Sequence, residues 1–147
     1  MKFRLVIDKE KDEELLLIAH EHSALTQQIE QLVLSYNGTD RICAYTDDEM
    51  RLLAFSDIEC ITVLDGKCYA IDTSAVRYRL KQRLYELEEI LPSYFIRINK
   101  STLANERQLE RFQATFSGAV DAIFRCGYRE YVSRRCFASI KRRFKQK

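Results

Sequence analysis

Proline occurs once and glycine four times in 147 residues, too few for a collagen-like or linker-rich chain. No run of ~18 apolar residues is present, so nothing in the sequence reads as a membrane-spanning helix. The opening MKFRLVIDKEKDEE turns acidic after seven residues and lacks the apolar core of a secretory signal. The expected location is the cytoplasm. Cysteine occurs five times, at Cys43, Cys60, Cys68, Cys126 and Cys136, but never as a close CxxC pair. Zinc sites want thiolates or imidazoles at short spacing, so reduced, buried or half-buried thiols are the expectation. His20 and His22 are two apart in a helical-looking acidic segment, and residues at that spacing do not share a helix face. No metal site and no cofactor is expected. Glycine-rich phosphate loops, a GxSxG elbow, an HExxH pair and EF-hand spacing are all missing. A Cys-His site would have to use two histidines far from any cleft signal. No catalytic residue is assigned, and enzyme activity is not expected.

Apolar residues at 46% and charged residues at 31% exclude a disordered chain. The length suits one domain with a short appendage and allows a core without disulfides or metals. The net charge of +2 conceals a division. Residues 1–90 carry 18 acids and 11 bases, net −7, whereas residues 91–147 carry 4 acids and 13 bases, net +9. From Arg134 onward there are seven bases (Arg134, Arg135, Lys141, Arg142, Arg143, Lys145 and Lys147) and no acid. Such asymmetry suggests a basic face for a polyanion, most often nucleic acid. A solvated C-terminal helix whose cations favour its own C-terminus explains the same run.

Lys2 to Asp8 alternates and predicts a short strand. Lys9 to Tyr36 predicts a helix with an acidic first turn, helical recurrence of Leu15, Ile18, Ala19, Leu25, Ile29, Leu32 and Val33, and a break near His22–Ser23. Asn37-Gly38 is a stop signal. Short strands follow at Arg41–Thr46, Met50–Phe55, Cys60–Leu64, Lys67–Asp72 and Ser74–Tyr78, and Asp65-Gly66 is the strongest hairpin signal in the chain. Leucines at positions 80, 84, 87 and 91 predict a helix stopped by Pro92. Further strands are expected at Tyr94–Ile98, Gln108–Phe116, Ala119–Cys126 and Tyr128–Ser133, with Thr102–Asn105 extended or a turn. Arg134–Phe144 closes as a helix with Ser133 as N-cap. The fold class expected is mainly β with peripheral helices.

The order LEEILP (Leu87–Pro92), YFIRINKS (Tyr94–Ser101), TLAN and QLERF, then IFRCGYREYVSRRCFASIKRRF (Ile123–Phe144), resembles the LytTR family of bacterial DNA-binding domains. FSDIECI and the DG hairpin are similar to an earlier block of that family. The resemblance covers about Arg41 to Phe144 and implies an elongated set of small β-sheets. Residues 1–40 would then be a separate β-α segment, and residues 41–147 the DNA-binding domain. It implies that loops, rather than a recognition helix, enter the DNA. Three contact regions carry over: Lys67 in the DG hairpin; Asn99, Lys100 and Ser101, with Asn99 where the family often has His; and Arg134 and Arg135 after Ser133. Asn can pair with adenine, Lys100 can reach guanine or phosphate, and Arg135 suits guanine O6 and N7. Arg129, Lys141, Arg142, Arg143, Lys145 and Lys147 would touch phosphate and add affinity without sequence information.

The implied partner is double-stranded promoter DNA, in direct repeats read through the major groove, with bending as an added readout. About forty residues precede the domain, too few for a phospho-acceptor receiver. The resemblance is therefore to small stand-alone regulators, which implies a homodimer and an inhibitory membrane-protein partner, with Leu15–Val33 as the interface. The same helix could instead cover the β core. Asn105, Tyr128 and Tyr131 are better explained by turns and packing than by DNA contact. The rival function is a protein-interaction module whose basic C-terminal region docks on an acidic partner.

Overall fold

The computed structural model describes residues 1–37 and 40–145. Residues 1–22 form no strand or helix, contrary to the strand expected at Lys2–Asp8 and the helix expected from Lys9. Phe3, Leu5, Val6, Ile7, Leu15, Leu16 and Ile18 are exposed. An alternating segment without a neighbouring strand has no ladder to complete and no face to bury. The helix α1 spans only Ala24–Asn37. It starts at the predicted break, where Ser23 Oγ accepts the Thr26 N–H at 3.2 Å and Thr26 Oγ1 accepts the Ser23 N–H at 2.9 Å. The stop signal at Asn37-Gly38 falls partly outside the described residues.

Strands β1 (Arg41–Tyr45), β2 (Met50–Ala54), β3 (Ile58–Leu64), β4 (Lys67–Asp72) and β5 (Arg77–Leu80) come next. Asp65 and Gly66 take φ of 52° and 75°, the pair of positive values that a two-residue I′ hairpin needs. The fifth strand starts three residues later than expected. Asp72 Oδ1 accepts the N–H groups of Ser74 and Val76 at 2.9 and 2.8 Å, and Ala75 sits at φ 62°, so this stretch is spent on a turn. Helix α2 (Leu84–Ile90) also begins late, because Leu80 belongs to β5. Strands β6 (Phe95–Asn99), β7 (Thr102–Asn105), β8 (Leu109–Ala114), β9 (Val120–Phe124) and β10 (Arg129–Val132) precede helix α3 (Arg134–Lys145).

The strands form a seven-stranded antiparallel sheet, order β2-β1-β5-β4-β3-β7-β6, and a three-stranded one, β10-β9-β8. Alternation on the large sheet divides the core in two. Ile61, Cys68, Ala70, Tyr78 and Leu80 bury one face with Leu84 and Leu87 of α2. On the other face Cys60, Ile71 and Ala104 meet Phe124 and Val132 of the small sheet and Ile140 of α3. No side chain of α1 belongs to either buried core among the described residues. That helix is instead tied down by polar contacts: Glu30 accepts from the backbone N–H and hydroxyl of Ser93, and Gln27 contacts Glu106 and Arg107.

The sheets are joined at a β3 irregularity between Ile58 and Cys60. There the buried Glu59 carboxylate accepts the Cys126 N–H at 2.8 Å. All five cysteines are free. Burial pushes the Cys60 thiol well above its usual range, and Glu130, Cys126 and Glu59 add to the shift. The chain is thus mainly β with peripheral helices.

Candidate nucleic-acid interface

The three regions singled out in the sequence are brought to neighbouring positions by hydrogen bonds between segments far apart in the chain. The Ser133 N–H donates to Ile98 O at 2.9 Å, setting the start of α3 beside the β6–β7 turn. The Val63 N–H donates to Ser101 O at 2.9 Å, and Thr62 and Thr102 hydroxyls share a bond of 3.0 Å. These place the end of β3, and hence the Asp65-Gly66 hairpin, beside the same turn. Each backbone bond satisfies a group that would otherwise be stranded at a strand end.

Within this arrangement Asn99 departs from the role expected of it. It is 1% exposed. Its Oδ1 accepts the Ser101 N–H at 2.7 Å, closing an Asx turn, and its Nδ2 donates to Tyr131 O at 2.7 Å. With both ends of the amide occupied and the side chain buried, Asn99 holds the turn against β10 and offers nothing to a base edge. Ser101 is half-buried, and its backbone is occupied on both sides.

Lys100 is the exposed tip of the turn. Arg97 braces it from behind, donating from Nη1 to Lys100 O at 2.8 Å while its Nε and Nη2 grip Glu88 Oε1 at 2.7 and 2.6 Å. Arg97 therefore serves the turn, held in place by Glu88.

Arg134 and Arg135 are exposed in the first turn of α3. The helix is capped as expected, with Ser133 Oγ accepting the Cys136 N–H at 3.2 Å. Cations at a helix N-terminus oppose the macrodipole, so helix stability does not account for these two arginines. No carboxylate lies within ion-pair range of Lys100, Arg134 or Arg135 among the described residues.

The expected phosphate contacts divide. Lys141, Arg142 and Lys145 are exposed on α3, with Lys141 Nζ 4.7 Å from the Phe137 ring centre. Arg143, by contrast, is engaged: Nε meets Glu106 Oε2 at 2.7 Å and Nη2 donates to Ser93 O at 3.2 Å. Glu106 is 6% exposed, so this pair anchors α3 rather than awaiting a ligand. Arg129 lies on β10, donating to Gln113 Oε1 at 2.9 Å and 3.7 Å from Asp121 Oδ2. Lys67 is exposed beside the hairpin turn. Lys147 lies outside the described residues. Sequence reasoning missed the supporting contacts of Asn99 and Arg97, whose partners come from other strands and helices. It also missed three cations of β5 and its end, Arg77, Arg79 and Lys81, although their every-second-residue spacing in VRYRLK is visible.

Residues 48–145 match the LytTr DNA-binding domain family. The chain is 31% identical, over 97% of its own length and 97% of theirs, to uncharacterised HTH-type transcriptional regulators of Staphylococcus aureus strains MSSA476 and MW2. Among solved structures, the LytTr DNA-binding domain of a putative methyl-accepting/DNA response regulator from Bacillus cereus has the same fold. The TM-score is 0.64 at 21% identity, over 71% of this chain and 96% of that one. The HTH-type designation of those relatives does not describe this architecture. Among the described residues every helix is separated from the next by strands, so none forms the short-turn helix pair of that motif. With the family matched over most of its length, and relatives aligned from end to end, the chain belongs to the LytTR family of DNA-binding domains.

Proposed function

We propose that this LytTR-family chain is a cytoplasmic bacterial transcription regulator that reads promoter duplex through exposed turns in the major groove, as direct repeats. One observation carries the reading. Backbone bonds from β3, β6 and the start of α3 bring Lys100, Arg134 and Arg135 together as exposed cations without carboxylate partners among the described residues. Arg135 and Lys100 are the candidate base readers, with Arg134 and Lys67 beside them. Lys141, Arg142 and Lys145 neutralise phosphate and release counterions. Asn99 and Arg97 position the reader turn. Direct repeats would place two copies on one duplex. The exposed Leu15, Leu16, Ile18 and Leu32 supply apolar surface for contact between those copies.

A genome-wide footprint of bound DNA, made with the parent and with Arg135→Ala, tests the reading. A shared sequence with a repeated half-site is expected. In the variant one position of that half-site relaxes, at a cost of ~1–3 kcal/mol. Recovery of RNA, or of an acidic protein insensitive to nuclease, would contradict it.

A further inference from the structure

The face of β1, β4 and β5 beside the hairpin gathers cations that the charge division of the sequence assigns to the acidic half. Tyr69 pairs with Arg79, and Arg79 with Tyr45, so the three lie in one row across the sheet. Strand alternation puts Lys67 and Arg77 on the same side, and Lys81 follows Leu80 beside Lys67. Arg77 lies over Tyr69, 4.9 Å from the ring centre, and Lys81 over Tyr45 at 4.6 Å. These six residues line one concavity with Thr46 and Asp47, the latter its sole lining carboxylate among the described residues. None of Lys67, Arg77, Arg79 or Lys81 makes an ion pair among the described residues. Like charges facing one another on a sheet repel. Stacking on tyrosine faces holds two of the cations extended without neutralising them.

We propose that this face binds the sugar-phosphate backbone of the duplex beyond the bases reached by the turns, a role that rests on the DNA reading above. Three features favour DNA over an acidic protein. Lys67 belongs both to the hairpin and to the patch, so the two surfaces are continuous. The patch shares its side of the large sheet with the small sheet and α3: Ile71, the strand partner of Arg77, is buried with Phe124 and Ile140. The lining is charged, hydroxylic or tyrosyl throughout. The core of a protein interface is depleted in lysine, which this patch carries twice at Lys67 and Lys81, whereas uncompensated cations repeating at the two-residue period of a strand, ~6.6–6.8 Å, suit a polymer of regularly spaced anions.

The test uses a duplex that the full chain selects from a random pool, with its flanks or trimmed to the protected bases. Arg77→Gln, Arg79→Gln and Lys81→Gln are combined, leaving Lys67 and the turns intact, and thermal unfolding reports on the fold. On the flanked duplex the dependence of log K on log salt should become shallower by ~0.9 for each phosphate that the variant no longer neutralises. On the trimmed duplex parent and variant should converge. The combined variant Arg77→Lys and Arg79→Lys, which keeps point charges for phosphate, should retain the parent slope. An unchanged slope on the flanked duplex, or equal weakening on both duplexes, would overturn this inference. Loss of affinity in Lys100→Ala and Arg135→Ala would in that case leave the turn reading standing. Failure to select any duplex would overturn both.

Discussion

Lys100 and Asn99 are adjacent in sequence, and the fold gives them opposite tasks. One side chain is exposed at the tip of the turn; the other is buried, with its amide committed to Ser101 and Tyr131. Lys100→Ala should therefore weaken DNA binding while leaving the melting temperature in place. Asn99→Ala should cost ~1–3 kcal/mol of stability, because it strands the Tyr131 carbonyl and the Ser101 N–H, and should weaken binding as a consequence. Calorimetry and a binding titration on both variants separate the two. Tyr94 allows a test by pH. Among the described residues its hydroxyl is buried without a hydrogen-bond partner, and burial pushes its pKa from 10.0 up to about 12 against the lowering effect of nearby Arg107. Between those values the unfolded phenol ionises while the folded one keeps its proton. The unfolded state then binds fewer protons, and stability falls as pH rises through that window. Denaturant unfolding should show the decline in the parent and a smaller one in Tyr94→Phe, which gives up no hydrogen bond.

At the scale of elements, α3 presents Arg134 and Arg135 from one end and is held by Ile140 and by Arg143 on Glu106 further along. Ile140→Ala should cost ~2–5 kcal/mol by leaving a cavity between helix and sheet. Denaturant melts check it, and binding should fall with it. Removing residues 1–22, which contribute nothing to the two buried cores among the described residues, should leave the melting transition of the β domain intact. Analytical ultracentrifugation should show a lower oligomeric state. Elements whose determinants are local are legible in the sequence. The Lys67–Asp72 strand matches its expected bounds because alternation and the DG turn fix its start and the following polar turn its end. Ser133 is recognisable as a cap because capping spans three residues. The irregular course of residues 1–22 is not legible. Their strand and helix patterns are adequate, but among the described residues no strand pairs with them and neither buried core includes them. The fate of Asn99 is equally hidden, since its partner Tyr131 lies 32 residues away and depends on how two sheets meet.

The whole molecule turns a near-neutral composition into a polarised surface. The division at residue 90 points to the turns and α3, yet it leaves Lys67, Arg77, Arg79 and Lys81 in the acidic part. Antiparallel pairing of β4 with β5 then gathers them on one face. Sequence-level charge counts follow the chain, whereas a polyanion meets the folded face. Duplex binding by the cations of the β6–β7 turn and the start of α3 is best tested by affinity as a function of salt. The parent chain, Lys145→Ala and Arg135→Ala should be titrated with duplex from the protein's own promoter and with a scrambled duplex. Parent affinity should fall steeply as salt rises. Lys145→Ala should weaken both duplexes alike and reduce the slope by ~1, and Arg135→Ala should lose its preference for the promoter. Binding that is absent or insensitive to salt, or a preference that survives Arg135→Ala intact, would contradict this reading of the fold.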